Sequence, residues 1–256
     1  MRGLVALVAV AILASLAPAA EDVRMITVEG EGAGYWPGWR GPSAQGYVVG
    51  SGYPDTWSDT ENVLWKVAVP GRGNSSPIVW GERLFLTTAR EGGQTLSILC
   101  YRRSDGTLLW ETPVPHQGVE RVHRKNSRAS ATPVTDGQRV YASFGSQGLV
   151  AVDFDGKIVW QRPVGDLANY HGSAGSPVLY RGTLILYQDH GGPSFVAAFD
   201  TATGKTRWWA DRKATIGWGT PIVIRAGGRD ELIVSSEDEV TAYNPRNGSV
   251  LWTVQG

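Results

Sequence analysis

The sequence predicts an all-β propeller, with about four four-stranded blades present that form part of a larger, seven- or eight-bladed ring. Three observations carry that expectation. A tryptophan closes a short apolar run five times: ENVLW at Trp65, DGTLLW at Trp110, DGKIVW at Trp160, TGKTRW at Trp208 and NGSVLW at Trp252. The successive gaps are 45, 50, 48 and 44 residues. A hydroxyl-proline-aliphatic step is interleaved with them, at Ser76-Pro77, Thr132-Pro133, Ser176-Pro177 and Thr220-Pro221. Between these marks, runs of β-branched, aromatic and aliphatic residues alternate with glycine turns, and past the first 20 residues no stretch carries the apolar period of an amphipathic helix. A unit of this length holding four strands is a blade that packs face to face on its neighbours around an axis.

Taken in chain order, residues 1–19 read as a cleavable secretory signal. Arg2 precedes an unbroken apolar run from Leu4 to Leu16, and Ala17, Pro18 and Ala19 supply the small-residue cleavage site. The run is too short for a membrane span, which takes roughly 20 apolar residues. The mature chain is therefore expected without a transmembrane span, soluble in the periplasm or outside the cell. Cys100 is the single cysteine, so no intrachain disulfide and no lipobox cysteine for an anchor are expected. Balanced charge, with 24 basic and 24 acidic residues, carries no footprint of a nucleic-acid partner.

Residues 20–60 form an N-terminal arm that holds YWPGWRGP, with Trp36 and Trp39, and then GYPDTW. Its aromatic, Gly and Pro content predicts an ordered segment lying over the propeller, with the two tryptophans packed into core. The propeller is placed at 61–256, with blades at about 75–114, 130–164, 174–210 and 218–254. In the first blade we expect strands at Pro77–Trp80, Arg83–Thr88, Thr95–Tyr101 and Thr107–Val114, with turns at Gly81, at Gly92-Gly93 and at Asp105-Gly106. The tryptophan of each closing strand is expected to lie across the seam between blades, and the glycine four residues before it (Gly106, Gly156, Gly204, Gly248) to supply the positive φ of a tight turn. Val63–Val69 carries a closing-type tryptophan with no three strands before it. Either the ring continues beyond Gly256 and Trp65 serves another blade, or the ring is a small four-bladed one with a redundant strand.

The segment AFDTATGKTRW, from Ala198 to Trp208, is similar to the A-x-D-x-x-x-G-K-x-x-W tryptophan-docking motif of quinoprotein-type propellers. AYNPRNGSVLW matches with Asn244 and Ser249 in the Asp and Lys places, AVDFDGKIVW is one residue short, and CYRRSDGTLLW keeps Gly106 and Trp110. Together with the Ser-Pro step, these motifs resemble the PQQ-like repeat family, which includes quinoprotein dehydrogenases and the BamB component of outer-membrane β-barrel assembly. The WPGWRGP opening followed by ENVLWK resembles exported bacterial members called BamB-like. The resemblance covers residues 60–256 and implies the fold; it does not by itself imply an activity.

In the dehydrogenases of that family a pyrroloquinoline quinone sits over the channel with Ca²⁺, an Asp base and typically a disulfide of adjacent cysteines. Cys100 stands alone inside an expected strand, so that disulfide cannot form here. The acidic residues Asp136, Asp155, Glu237, Asp238 and Glu239 fall in turns and on alternating strand positions. The four histidines, at 116, 123, 171 and 190, lack zinc-type spacing, and no serine sits in a nucleophile elbow. No catalytic residue, metal ligand or cofactor is therefore expected, and PQQ with calcium belongs only to the alternative of a quinoprotein oxidoreductase whose site is incomplete in this chain. The leading expectation is a non-catalytic, exported scaffold that binds an envelope protein, of the outer-membrane assembly type. Its candidate binding residues precede each Ser-Pro step and cluster at one mouth of the channel: Arg72, Asn74, Arg128, His171 and Trp218. The insertion HQGVERVHRKNSR adds Arg121, Arg124 and Lys125 against Glu120, the strongest local charge asymmetry in the chain, suited to an anionic partner or headgroup.

Overall fold

A computed structural model describes residues 23–256, so the signal expected at 1–19 and the first residues of the arm lie outside the described part. After a two-residue strand β1 (Arg24–Met25), sixteen strands follow in four sheets among the described residues. The first sheet is β2 (Ile78–Trp80), β3 (Arg83–Arg90), β4 (Thr95–Arg102) and β5 (Leu108–Pro113). The second is β6 (Val134–Thr135), β7 (Arg139–Ser143), β8 (Leu149–Asp153) and β9 (Ile158–Arg162). The third is β10 (Val178–Tyr180), β11 (Thr183–Gln188), β12 (Ser194–Asp200) and β13 (Thr206–Arg212). The fourth is β14 (Ile222–Ala226), β15 (Arg229–Ser235), β16 (Glu239–Tyr243) and β17 (Val250–Gln255). Each is an antiparallel meander in sequence order, as blades of a PQQ-like propeller are, and the expected helix-free architecture holds apart from single 3-10 turns.

The core is divided among the seams. One buried cluster joins Phe85, Ile98 and Cys100 of the first sheet to Val140, Val150 and Val152 of the second. A second joins Tyr141, Leu149 and Trp160 to Leu184, Leu186 and Phe195, and a third joins Ile185, Tyr187 and Trp208 to Val223, Leu232 and Val234. Each sheet thus gives one face to each neighbour, which is why central strands such as β8 and β12 are buried on both faces.

The repeated tryptophan does more than fill a seam. Its indole Nε1 donates to a backbone carbonyl in the hairpin of the next sheet: Trp110 to Phe154, Trp160 to Thr201 and Trp208 to Pro245, at 2.8, 2.9 and 3.0 Å. The ring then lies on the hairpin's glycine. A Cβ at Gly156, Gly204 or Gly248 would come within 2.5–2.8 Å of the ring of the preceding blade's tryptophan, so the glycine is required by this contact as well as by its positive φ. Within each sheet the tryptophan pairs across β-strands with the first residue of the motif: Ala151 with Trp160, Ala198 with Trp208, Ala242 with Trp252. In the first sheet Cys100 takes that small-residue place opposite Trp110.

Trp65 docks in the same manner, donating to the Arg103 carbonyl at 2.8 Å with its ring over Gly106. Its segment, 63–69, is not a strand, contrary to the closing strand expected there. Among the described residues no strand pairs with it, and the Trp65 indole ties it to the first sheet. Trp252 has no following hairpin within the described residues and donates instead to Glu231 Oε2 of its own sheet.

The hydroxyl-proline step forms a second chain of contacts. The backbone N–H of Ser76 donates to Thr132 Oγ1, that of Thr132 to Ser176 Oγ, and that of Ser176 to Thr220 Oγ1, at 3.0, 2.9 and 3.2 Å. The hydroxyl is thus the acceptor that satisfies the N–H entering the preceding blade's innermost strand, and the proline following it, having no N–H, needs no acceptor.

The arm adds to the inner edges of the blades. β1 pairs with β14, Trp36 bridges to Val79 of β2, and Thr135 of β6 donates to the Pro37 carbonyl. Trp36 is partly buried, packed against Gly41, whereas Trp39 is 40% exposed, so only one of the pair meets the expectation of core packing. Between arm and inner strands lies a cavity of about 470 Å³, lined mainly by apolar side chains such as Val134, Leu179 and Ile222.

Candidate functional site

In an antiparallel meander the odd and even turns fall at opposite ends of the sheet. The glycine hairpins that seat tryptophans occupy one end. The turns between each second and third strand, and the connections that enter the innermost strands, occupy the other. There the sequence-predicted residues Arg72, Asn74, Arg128, His171 and Trp218 are brought into one set of connected loops.

The insertion 116–128 makes the connections. Arg72 Nη2 donates to the Arg124 carbonyl at 2.7 Å, and Ser127 Oγ donates to the Arg72 carbonyl at 2.8 Å. The Asn74 side chain meets Asn126 Oδ1 at 3.4 Å, while Asn126 Nδ2 donates to the His171 carbonyl at 2.7 Å. Trp218 closes the chain of contacts: its ring sits edge-on to His171 at 5.4 Å between centroids, and its Nε1 donates to the Gly172 carbonyl. Arg128 turns inward, with Nε donating to the Glu120 carbonyl at 2.6 Å. The connections that enter all four blades thereby contribute to one surface.

Two residues that sequence reasoning missed, His123 and Tyr170, belong to it. His123 and His171, read as scattered from their spacing, stand 5.2 Å apart between ring centroids, and Tyr170 contacts both rings. Tyr170 is 71% exposed and Trp218 40%, so the four rings form a strip open to solvent. The only sequence signal was proximity of Tyr170 to His171; nothing local links His123 to either.

The strip rests on rigid supports. Glu120 is withdrawn from solvent and accepts the backbone N–H of Ser146 at 2.9 Å and of Ser173 at 3.4 Å; burial pushes its carboxyl above the usual range against these donors. Beneath Trp218, Arg212 and Asp189 form a bidentate pair at 2.7 and 2.9 Å, both side chains fully buried. The Arg212 guanidinium lies between the rings of Tyr187 and Tyr243 and donates to Tyr243 Oη. Gly217 and Gly219 flank Trp218 where a Cβ would come within 3.0 Å of Asp189 and 2.8 Å of Tyr187 Oη, respectively, so the pair fixes the loop that presents the tryptophan. A buried charge left without its partner is costly, which ties the position of Trp218 to this pair.

Chemically, this arrangement presents aromatic rings, amides and cations on one face. Among the described residues no three His, Cys, Asp or Glu side chains converge as metal ligands, and burial pushes the Cys100 thiol up to about 12, out of the nucleophilic range.

Residues 36–254 match the sequence model of the family described as outer membrane protein assembly factor BamB. A curated relative, outer membrane protein assembly factor BamB of Moranella endobia (strain PCIT), is 26% identical over 200 residues, which cover 75% of this chain and 46% of the relative. Among solved structures, BamB from Moraxella catarrhalis superposes with a TM-score of 0.55 at 21% identity, covering 77% of this chain and 56% of that one. A quinohemoprotein alcohol dehydrogenase from Pseudomonas putida HK5 superposes with a TM-score of 0.52 at 15% identity, covering 76% of this chain and 36% of that one. These superpositions concern the fold. The chain spans about half the length of the relatives it matches.

Proposed function

The chain belongs to the family of outer membrane protein assembly factor BamB, and from that premise we propose that it is a non-catalytic, exported scaffold that binds a protein partner in the bacterial envelope. The observation that supports this reading is the open strip of His123, Tyr170, His171 and Trp218, held by loops of three blades on a rigid base. Exposed Tyr and Trp anchors set on rigid supports are the side chains that dominate protein interfaces, because they bury much area at little entropic cost. The half-length match to the relatives makes their assembly role a proposal for this chain.

The dehydrogenases among the structural neighbours raise the alternative of PQQ held with calcium. The described residues do not fit such a site. No carboxylate set converges, and Asp189, the deepest-buried acid at the mouth, is engaged on both oxygens by Arg212.

The test uses the purified protein as bait on an envelope extract, with Tyr170→Ala/Trp218→Ala as the paired variant. Recovery of outer-membrane assembly proteins, reduced on the order of tenfold by the double substitution, is expected. Equal recovery by both baits, or stoichiometric binding of PQQ with Ca²⁺ accompanied by dye reduction, overturns the proposal.

A further inference from the structure

Beside the aromatic strip is a smaller recess of about 210 Å³, lined by Arg72, Arg124, Arg128, His123 and Asn126 and closed by Gly92-Gly93. Its lining includes three arginines and neither Asp nor Glu. None of the three stands within ion-pair distance of an acid among the described residues, whereas most other arginines at strand ends and turns do, as Arg83, Arg90, Arg102, Arg103, Arg181, Arg207, Arg212, Arg225 and Arg229 show. Glu120, the nearest acid of the insertion, spends both oxygens on backbone N–H groups of the next loops. With Glu120 acting on Arg128 and no acid paired with Arg72 or Arg124, the recess keeps an excess of positive charge that an anion would offset.

The recess is also organised before any ligand arrives. Arg72 is held through the Arg124 carbonyl, Arg128 through the Glu120 carbonyl, and Asn126 through the His171 carbonyl. Gly93, at φ 98°, is where the wall must lack a side chain, since a Cβ there would stand 2.0 Å from Arg128 Cδ. The Arg124 side chain makes no bond to the protein among the described residues and is free to close over a bound group. Forks held by their own backbone lose little freedom on binding.

We propose that this recess is a binding site for a phosphate-class dianion. Each guanidinium carries five donors, of which Arg72 and Arg128 spend one apiece on carbonyls; the donors left exceed what the four or so lone-pair sites of a carboxylate accept. A phosphate group brings a charge near −2 and three strong acceptor oxygens, which matches three forks better. The same chemistry is offered by inorganic phosphate and by the phosphomonoester headgroup of a lipid. The recess shares His123 with the aromatic strip, but its anion chemistry does not require the protein partner proposed above.

The test is a calorimetric titration of the purified protein with inorganic phosphate at fixed ionic strength, with a parallel flotation assay on vesicles of phosphatidylcholine alone or with phosphatidic acid. Arg124→Gln is compared with Arg121→Gln, which removes an exposed cation of the same insertion that does not line the recess. Saturable one-to-one binding of phosphate, weakened about tenfold or more by Arg124→Gln and by Arg124→Lys but not by Arg121→Gln, is expected. Binding to phosphatidic acid vesicles with the same dependence on Arg124 assigns the lipid source; binding of free phosphate without vesicle binding assigns the soluble one. Equal losses from Arg121→Gln and Arg124→Gln, or no saturable binding in either assay, overturn the proposal.

Discussion

Single residues account for the repeat motif position by position. The small residue that opens it faces the tryptophan across the strand pair, the Asp or Asn caps the hairpin, and the glycine seats the neighbouring indole. Asp200 shows the capping role: its carboxylate accepts the Thr203 N–H and hydroxyl, each at 2.8 Å, and pairs with Arg207. The Thr203 hydroxyl first, then Arg207, lowers its carboxyl from 3.8 to about 2. A depressed acid stabilises the fold above its unfolded value and loses that contribution as pH falls through the folded one. Thermal unfolding of the wild type should therefore weaken between about pH 4 and about pH 2 by more than that of Asp200→Asn, and parallel curves would show that the cap carries no linkage. Cys100 belongs here too: lying in the alanine place, it is explained by its size and its burial, with no redox role required.

At the scale of the element, the hairpin carries two demands on one glycine, and substitution separates them. Gly156 and Gly182 both have positive φ, but a Cβ at Gly156 meets Trp110 at 2.8 Å, whereas at Gly182 it meets open space. Gly182→Ala should cost about 1 kcal/mol from backbone strain alone. Gly156→Ala should cost about 1–3 kcal/mol more by displacing the indole, read from denaturant midpoints of the two variants; equal costs would mean the ring yields freely. These elements were legible in the sequence because their causes are local: Asp-Gly and Asn-Gly turns, alternating strands, a tryptophan at fixed distance from a glycine. The mouth was legible only in part. Arg72, Asn74, Arg128, His171 and Trp218 could be picked out by position before the Ser-Pro step, since the repeat itself marks where loops enter. The pairing of His123 with His171 and of Asp189 with Arg212 could not, because each joins residues that share no motif and meet only when loops of different strands are packed. The segment around Trp65 failed in the other direction, since its residue pattern is that of a strand and pairing needs a neighbour as well as a pattern.

For the whole molecule, the division of the core among seams predicts how it comes apart. Trp160 is buried between the second and third sheets, and Trp160→Ala should cost about 3–5 kcal/mol through lost contacts and an unfilled cavity. With mainly nearest-neighbour coupling, amide exchange in β7, β8, β11 and β12 should quicken before that in β3 and β4; a uniform increase would show that the four sheets open as one unit.

The tryptophan contacts also have a direction. The indoles of Trp110, Trp160 and Trp208 give their protons forward to the following hairpin, and the hydroxyls of Thr132, Ser176 and Thr220 each receive one from the unit before. A unit therefore presents a plug on one side and a socket on the other, in the same order each time. Duplicating a unit, or deleting one, leaves every remaining plug facing a socket. A protein built in this way can change its size by whole units during evolution without redesigning any joint, and the loops at the mouth can diversify with each copy while the joints stay the same.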